Sequence, residues 1–175
     1  MIMSNGRQIA LAAMSAAYVI VFAVIGNYLN NFIITFGVLT SLAIAMPVNM
    51  KQYKCALAAY IVASAILLIL SPFRAMFFVC FFGIYPLLYS LLDKIKKLYI
   101  RYLLKAIYYL ASLIVHYYIT GNLYSVNIIN YIEGNNFFFY YLLIGVLILF
   151  IYDFMWGKLN RIIISKLKLI HKYVE

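Results

Sequence analysis

The sequence predicts an all-α integral membrane protein: a bundle of six transmembrane helices, one membrane domain over residues 1–175, with both termini in the cytoplasm. Three observations carry this. Of 175 residues, 68% are hydrophobic and only 10% charged, with a mean hydropathy of +1.01. A soluble domain is about half apolar and about a quarter charged. The apolar residues fall in six continuous runs close to the ~20 residues that cross a bilayer. The basic residues occupy alternate breaks between those runs. The same composition excludes a soluble globular protein and a disordered chain. It also excludes a transmembrane β-barrel, whose strands alternate apolar and polar residues over ~10 positions.

The runs are Ile9–Ile25, Phe32–Val48, Cys55–Leu70, Ala75–Leu92, Tyr102–Ile119 and Phe137–Trp156. Short breaks between them carry turn chemistry. Gly26-Asn27 and Asn30-Asn31 follow the first run, Pro47 closes the second, and Ser71-Pro72 precedes the fourth. Gly83 and Pro86 inside the fourth run mark a kink or a close approach to a neighbour. Only the break from Gly121 to Asn136 is long, and long loops are often functional. No internal repeat is visible, which disfavours the inverted-repeat secondary transporters. Arg7 ahead of an apolar run has the order of a signal peptide, but 17 residues exceed the usual 7–15-residue apolar region. A retained span is expected.

Fourteen Lys and Arg residues against four acids give a formal charge of +10. Arg7 precedes the first run, and Lys51 and Lys54 separate the second from the third. Lys94, Lys96, Lys97, Arg101 and Lys105 lie between the fourth and fifth, and Lys158, Arg161, Lys166, Lys168 and Lys172 follow the sixth. Only Arg74 falls on the other side. Thirteen basic residues against one place both termini inside. Such residues also attract anionic lipid head groups on the cytoplasmic side, at ~1 kcal/mol each. The charge therefore reads as membrane orientation and lipid contact rather than as nucleic-acid binding. Cys55 and Cys80 lie in different runs and form no CxxC pair, so neither a disulfide nor a metal site is expected.

The first run reads Ala10-Leu-Ala-Ala-Met-Ser-Ala-Ala17. Ala12 and Ala16, like Ala13 and Ala17, are four apart, so small residues line one side of the helix and let another helix approach closely. That surface serves either internal packing or docking to a separate membrane subunit. A basic residue leading into an Ala-rich first helix, six spans and both ends inside together resemble the substrate-binding S components of energy-coupling factor (ECF) transporters. The resemblance covers the whole chain in plan, with the AxxxA pattern as its motif. It implies that Ala12, Ala13, Ala16 and Ala17 contact a transmembrane coupling subunit with its ATPases. It implies also that the chain captures a vitamin or related micronutrient from outside, and that the subunit topples in the membrane to deliver it. The alternative is a non-transporting scaffold or accessory protein resembling the small multi-span proteins of rod-shape determination.

A captured small-molecule solute would meet the outer loops. Asn27, Tyr28, Asn30 and Asn31 lie in the first. Asn122, Tyr124, Asn127, Asn130, Tyr131, Glu133, Asn135 and Asn136 lie in the long one. Asn offers donor and acceptor, and Tyr a stacking face with a polar tip. The mixture suits an uncharged heterocycle or an amide, and equally an ordinary solvated loop with interfacial aromatics. Arg74 is more pointed. Ser71-Pro72 reads as an N-cap with Pro at the first helical position, so Arg74 falls in a first helical turn, where the dipole disfavours a cation. Glu133, a ligand carboxylate or phosphate, or lipid phosphate reached by snorkelling can each supply the anion. His116, near the outer end of the fifth run, either lines the same region or is an ordinary packed helix residue.

In the inner half, Asp153 lies within the last run. Lys158, Arg161 and Lys105 at similar depth favour an interfacial ion pair over proton coupling. Trp156 reads as an interface anchor. No HExxH helix, GxSxG elbow or phosphate-binding loop is present in the sequence. No catalytic residue, metal or cofactor is therefore expected, and ATP-derived energy would have to come from a partner.

Overall fold

The structure, a computed structural model, describes residues 5–29, 33–124 and 137–174. Every regular element among them is helical. In order they are α1 (Asn5–Tyr28), α2 (Ile33–Asn49), α3 (Tyr53–Leu70), α4 (Pro72–Phe77), a π-helical segment (Phe78–Phe82), α5 (Tyr85–Leu92), α6 (Leu98–Tyr124) and α7 (Phe137–Val174). Among the described residues five stretches are long and apolar enough to cross a membrane: Asn5–Tyr28, Tyr53–Leu70, Arg74–Leu92, Leu98–Thr120 and Phe139–Ser165. The α2 helix, with 17 residues, is apolar but shorter than these.

The described residues up to Tyr124 form one compact unit, built around α2. That helix packs against α1, α3, α5 and the π segment, while α6 lies against the π segment, α4 and α5. The core is unusually rich in alanine: Ala16, Ala43, Ala56, Ala59, Ala63 and Ala75 make up six of its twelve buried apolar members. Lipid provides no hydrophobic drive between helices, so close van der Waals approach takes its place, and small side chains permit it. The pattern in α1 splits accordingly. Ala16 is buried and Ala12 half-buried, whereas Ala13 and Ala17 face outward. A second stripe of small residues, Ala56, Ala59 and Ala63 on α3, is buried in the same cluster.

The turn from α2 to α3 is a Schellman motif. Gln52 N–H donates to the Pro47 carbonyl at 2.8 Å and Lys51 N–H to that of Val48 at 2.9 Å. Lys51 occupies the left-handed conformation, with φ of 61°, at the position that favours glycine. Pro47 lies within α2, which continues to Asn49. The expectation that Pro47 closes the run is thus displaced by two residues.

The fourth run is one apolar stretch but not one regular helix. Pro72 begins α4 as expected, yet the Ser71 side chain makes no capping bond to it. After Phe77 the backbone opens into the π segment, with Gly83 N–H reaching Phe78 O at 2.7 Å. Pro86 has no N–H to offer Phe82 O, which a regular helix would pair with it. Three hydroxyls from three other helices serve this stretch: Ser41 of α2 donates to Phe82 O at 2.8 Å, Tyr60 of α3 to Val79 O at 3.1 Å, and Tyr108 of α6 to Cys80 O at 2.7 Å. Inside a membrane such backbone groups must find protein partners. Gly83 permits the crossing, because a Cβ there would lie 2.7 Å from the Tyr60 ring.

The two ends of this unit differ. At one, the α2–α3 and α5–α6 turns meet, with Tyr53 OH 3.2 Å from Ser90 Oγ and Lys94 Nζ 4.9 Å from the centre of the Tyr53 ring. Lys51, Lys54, Lys94, Lys96, Lys97 and Arg101 all belong to this end. Arg74 belongs to the other.

By itself, α7 is a single helix of 38 residues. It runs 18 residues beyond Trp156, where the apolar run was expected to end. Within it the Tyr152 and Trp156 rings lie 6.0 Å apart, Lys158 Nζ stands 4.5 Å above the Phe154 ring, and Arg161 Nε donates to Gly157 O at 3.1 Å.

Candidate functional site

The α1 helix ends beside the start of α4, and Asn27 in its last turn joins the two. Its Nδ2 donates to Ser71 Oγ at 2.8 Å, which is where the Ser71 side chain goes instead of capping α4. Its main-chain carbonyl accepts a hydrogen bond from Arg74 Nη1. This resolves the charge problem posed by Arg74. A cation is unfavourable at the start of α4, but the same guanidinium lies at the negative end of α1, a helix of 24 residues with no basic residue in its own last turn. The carbonyl is a partner outside the three anions expected from the sequence.

Below this junction lies a recess of about 40 Å³ between α1, α2 and the α4–π stretch. Ala23, Gly26 and Asn27 line it from α1, and Phe36, Gly37 and Thr40 from α2. Arg74, Phe77, Phe78 and Phe82 complete it. Four aromatic rings thus surround a wall carrying one guanidinium, one carboxamide and one hydroxyl. The Thr40 hydroxyl donates to Gly37 O at 2.7 Å. The Phe82 ring is pressed onto the α2 backbone, since a Cβ added at Gly37 would lie 2.5 Å from it. The volume takes a water or two, or a carboxylate, and is well below the ~300 Å³ at which small-molecule pockets begin.

Of the residues expected at this face, the recess brings together Asn27 and Arg74. His116 is buried but not on the recess wall. Its ring packs at a tilt against Phe77 at 4.5 Å and Phe81 at 5.5 Å between centroids, one aromatic ring behind the wall. Asn122 and Tyr124 belong to the last turn of α6, with side chains outside the described set. Asn31, Asn127, Tyr131 and Glu133 lie outside the described residues.

Phe36, Gly37, Thr40, Phe77, Phe78 and Phe82 were not anticipated. The available signal was the pairing of Phe77-Phe78 and Phe81-Phe82 just ahead of Gly83 and Pro86, which places a ring cluster at a break in the helix.

At the opposite end, Arg101 Nη1 and Asp93 Oδ1 form an ion pair at 2.9 Å. Lys105 Nζ lies 4.7 Å from the centre of the Tyr89 ring. Tyr89 itself packs at a tilt against Tyr85, which accepts a hydrogen bond from Tyr109 OH at 3.1 Å. Both cysteines are free thiols. No cluster of three or more His, Cys, Asp or Glu suited to a metal occurs among the described residues.

Compared with known proteins, the chain matches no family model, and no curated sequence or solved structure matches it.

Proposed function

We propose that this chain is the membrane-embedded substrate-binding subunit of an ECF-type uptake transporter, taking a small solute from the extracytoplasmic side. The observation that carries the reading is the recess beneath Asn27 and Arg74, at the end of the bundle remote from the lysine cluster. Under the positive-inside rule the lysine-rich end is cytoplasmic, so the recess faces outward and both termini lie inside. At ~1.5 Å per residue, α2 spans about 25 Å, within reach of a hydrocarbon core, which supports a six-span count. Solute binding then requires the recess to widen, and the Phe82 ring packed over Gly37 is part of the wall that must move. The outward-facing Ala13 and Ala17 offer a close-packing surface to a coupling subunit, whose ATPases supply the energy.

The small volume of the recess favours a second reading, a multi-span scaffold that transports nothing. Purification of the tagged protein from its native host in mild detergent, followed by mass spectrometry, separates the two. A coupling subunit with ATPases, or a retained solute, is the expected outcome. Recovery of cell-wall machinery alone would establish the scaffold. Ala13→Leu should remove the coupling subunit and leave solute binding intact, and loss of both would end the docking assignment.

A further inference from the structure

We infer that the α5–α6 corner is a specific binding site for one anionic phospholipid, held at its phosphate by Lys96 and Lys97. The corner carries five basic residues, and three are already engaged. Lys94 lies over the Tyr53 ring, Arg101 pairs with Asp93 at 2.9 Å, and Lys105 lies over Tyr89 and Tyr102. Lys96 and Lys97 are exposed, and neither ammonium has a partner among the described residues. The Asp93–Arg101 pair ties the turn to the first helical turns of α6, so the two free lysines are presented from a braced loop.

The apolar surface beside the two lysines suits a lipid rather than a free anion. Leu98, Tyr99 and Leu103 on α6 are exposed, as is Leu91 on α5. Leu98 and Tyr99 follow Lys97 directly in the chain, and Leu103 lies one turn beyond Tyr99 on the same face of α6. A phosphodiester satisfies the ammonium groups while its acyl chains cover the exposed side chains, whereas inorganic phosphate gains only the first contact. This inference is independent of the solute-capture reading, since it uses the opposite end of the bundle.

The test is native mass spectrometry of the full chain in detergent, titrated separately with phosphatidylglycerol, phosphatidylcholine and inorganic phosphate. The wild type should retain one phosphatidylglycerol in preference to phosphatidylcholine and should not exchange it for phosphate. The K96Q/K97Q variant should bind it roughly thirty-fold more weakly, and K96R/K97R should keep most of the affinity. A K51Q/K54Q variant, with the same loss of charge at the same end, should change it less than about three-fold. Equal losses in the two Gln variants would mean diffuse attraction and overturn the site. So would equal binding of the two lipids, displacement by phosphate, or an Arg variant as weak as the Gln variant.

Discussion

The hydroxyl of Ser41 reaches across from α2 to the main-chain carbonyl of Phe82 at 2.8 Å, the carbonyl for which Pro86 has no N–H. The same hydroxyl lies 3.1 Å from Gly37 O in its own helix, so one proton is shared, with the shorter contact to the neighbour. Ser41→Ala should therefore destabilise the fold by about 1 kcal/mol, in the range measured for interhelical hydrogen bonds in membranes. Pro86→Ala restores a donor four residues beyond Phe82. The loss from Ser41→Ala should shrink in that background. Reversible unfolding of the four proteins in detergent, arranged as a double-mutant cycle, measures the coupling. Strict additivity would show that Ser41 and Pro86 do not share this carbonyl.

Arg74 is bonded to the backbone of Asn27, whereas Ser71 is bonded to its side chain. The two interactions should separate by mutation. Asn27→Ala removes only the bond to Ser71 and should cost about 1 kcal/mol. Arg74→Met leaves the end of α1 without its cation and should cost about 1–3 kcal/mol. Thermal unfolding of the two variants in one detergent checks the order, and a larger loss from Asn27→Ala would contradict the assigned contacts.

The contact between Gly37 and Phe82 leaves no room for a Cβ. Gly37→Ala should destabilise by about 1–3 kcal/mol through overpacking. Adding Phe82→Leu, a smaller side chain over the same backbone, should recover part of that loss. If Gly37→Ala is neutral by itself, the ring yields freely and the recess is wider in solution than in the structure.

At Lys51 the backbone adopts a conformation that ordinary side chains enter at a cost of about 1 kcal/mol. Lys51→Gly should raise stability by roughly 0.5–1 kcal/mol, less than the full strain because glycine also gains freedom in the unfolded chain. A change in unfolding midpoint without a change in cooperativity is the expected signature, and a lowered midpoint would assign the position to its charge instead.

Much of the helical plan could be read from hydropathy, because the energetic demand of a bilayer is written in consecutive residues. The run expected over 55–70 is α3 from Tyr53 to Leu70, and of the kink or close approach expected at Gly83 and Pro86, the structure has Gly83 pressed against Tyr60 just after the π segment. The last helix shows where that signal stops. Hydropathy ends near Trp156, but the Lys-, Leu- and Ile-rich sequence beyond it is good helix-forming material, and α7 continues to Val174. The site was less legible. That Arg74 is misplaced for its own helix follows from local rules, but its carbonyl partner is 47 residues away and carries no side-chain signature. The α3 stripe of Ala56, Ala59 and Ala63 was as visible as that of α1, but only the packing shows which face of each helix is buried.

The three hydroxyls that serve the π segment have a consequence for biogenesis. Ser41 and Tyr60 are translated before the carbonyls of Phe82 and Val79, but Tyr108 comes 28 residues after Cys80. When the fourth run has been synthesised, two of its donors precede it in the chain and the third has yet to be made. Until α6 joins the bundle, the Cys80 carbonyl lacks the hydrogen bond that Tyr108 supplies. The break in this helix is completed by a later segment of the chain, so the order of synthesis sets the order in which this part of the fold can close.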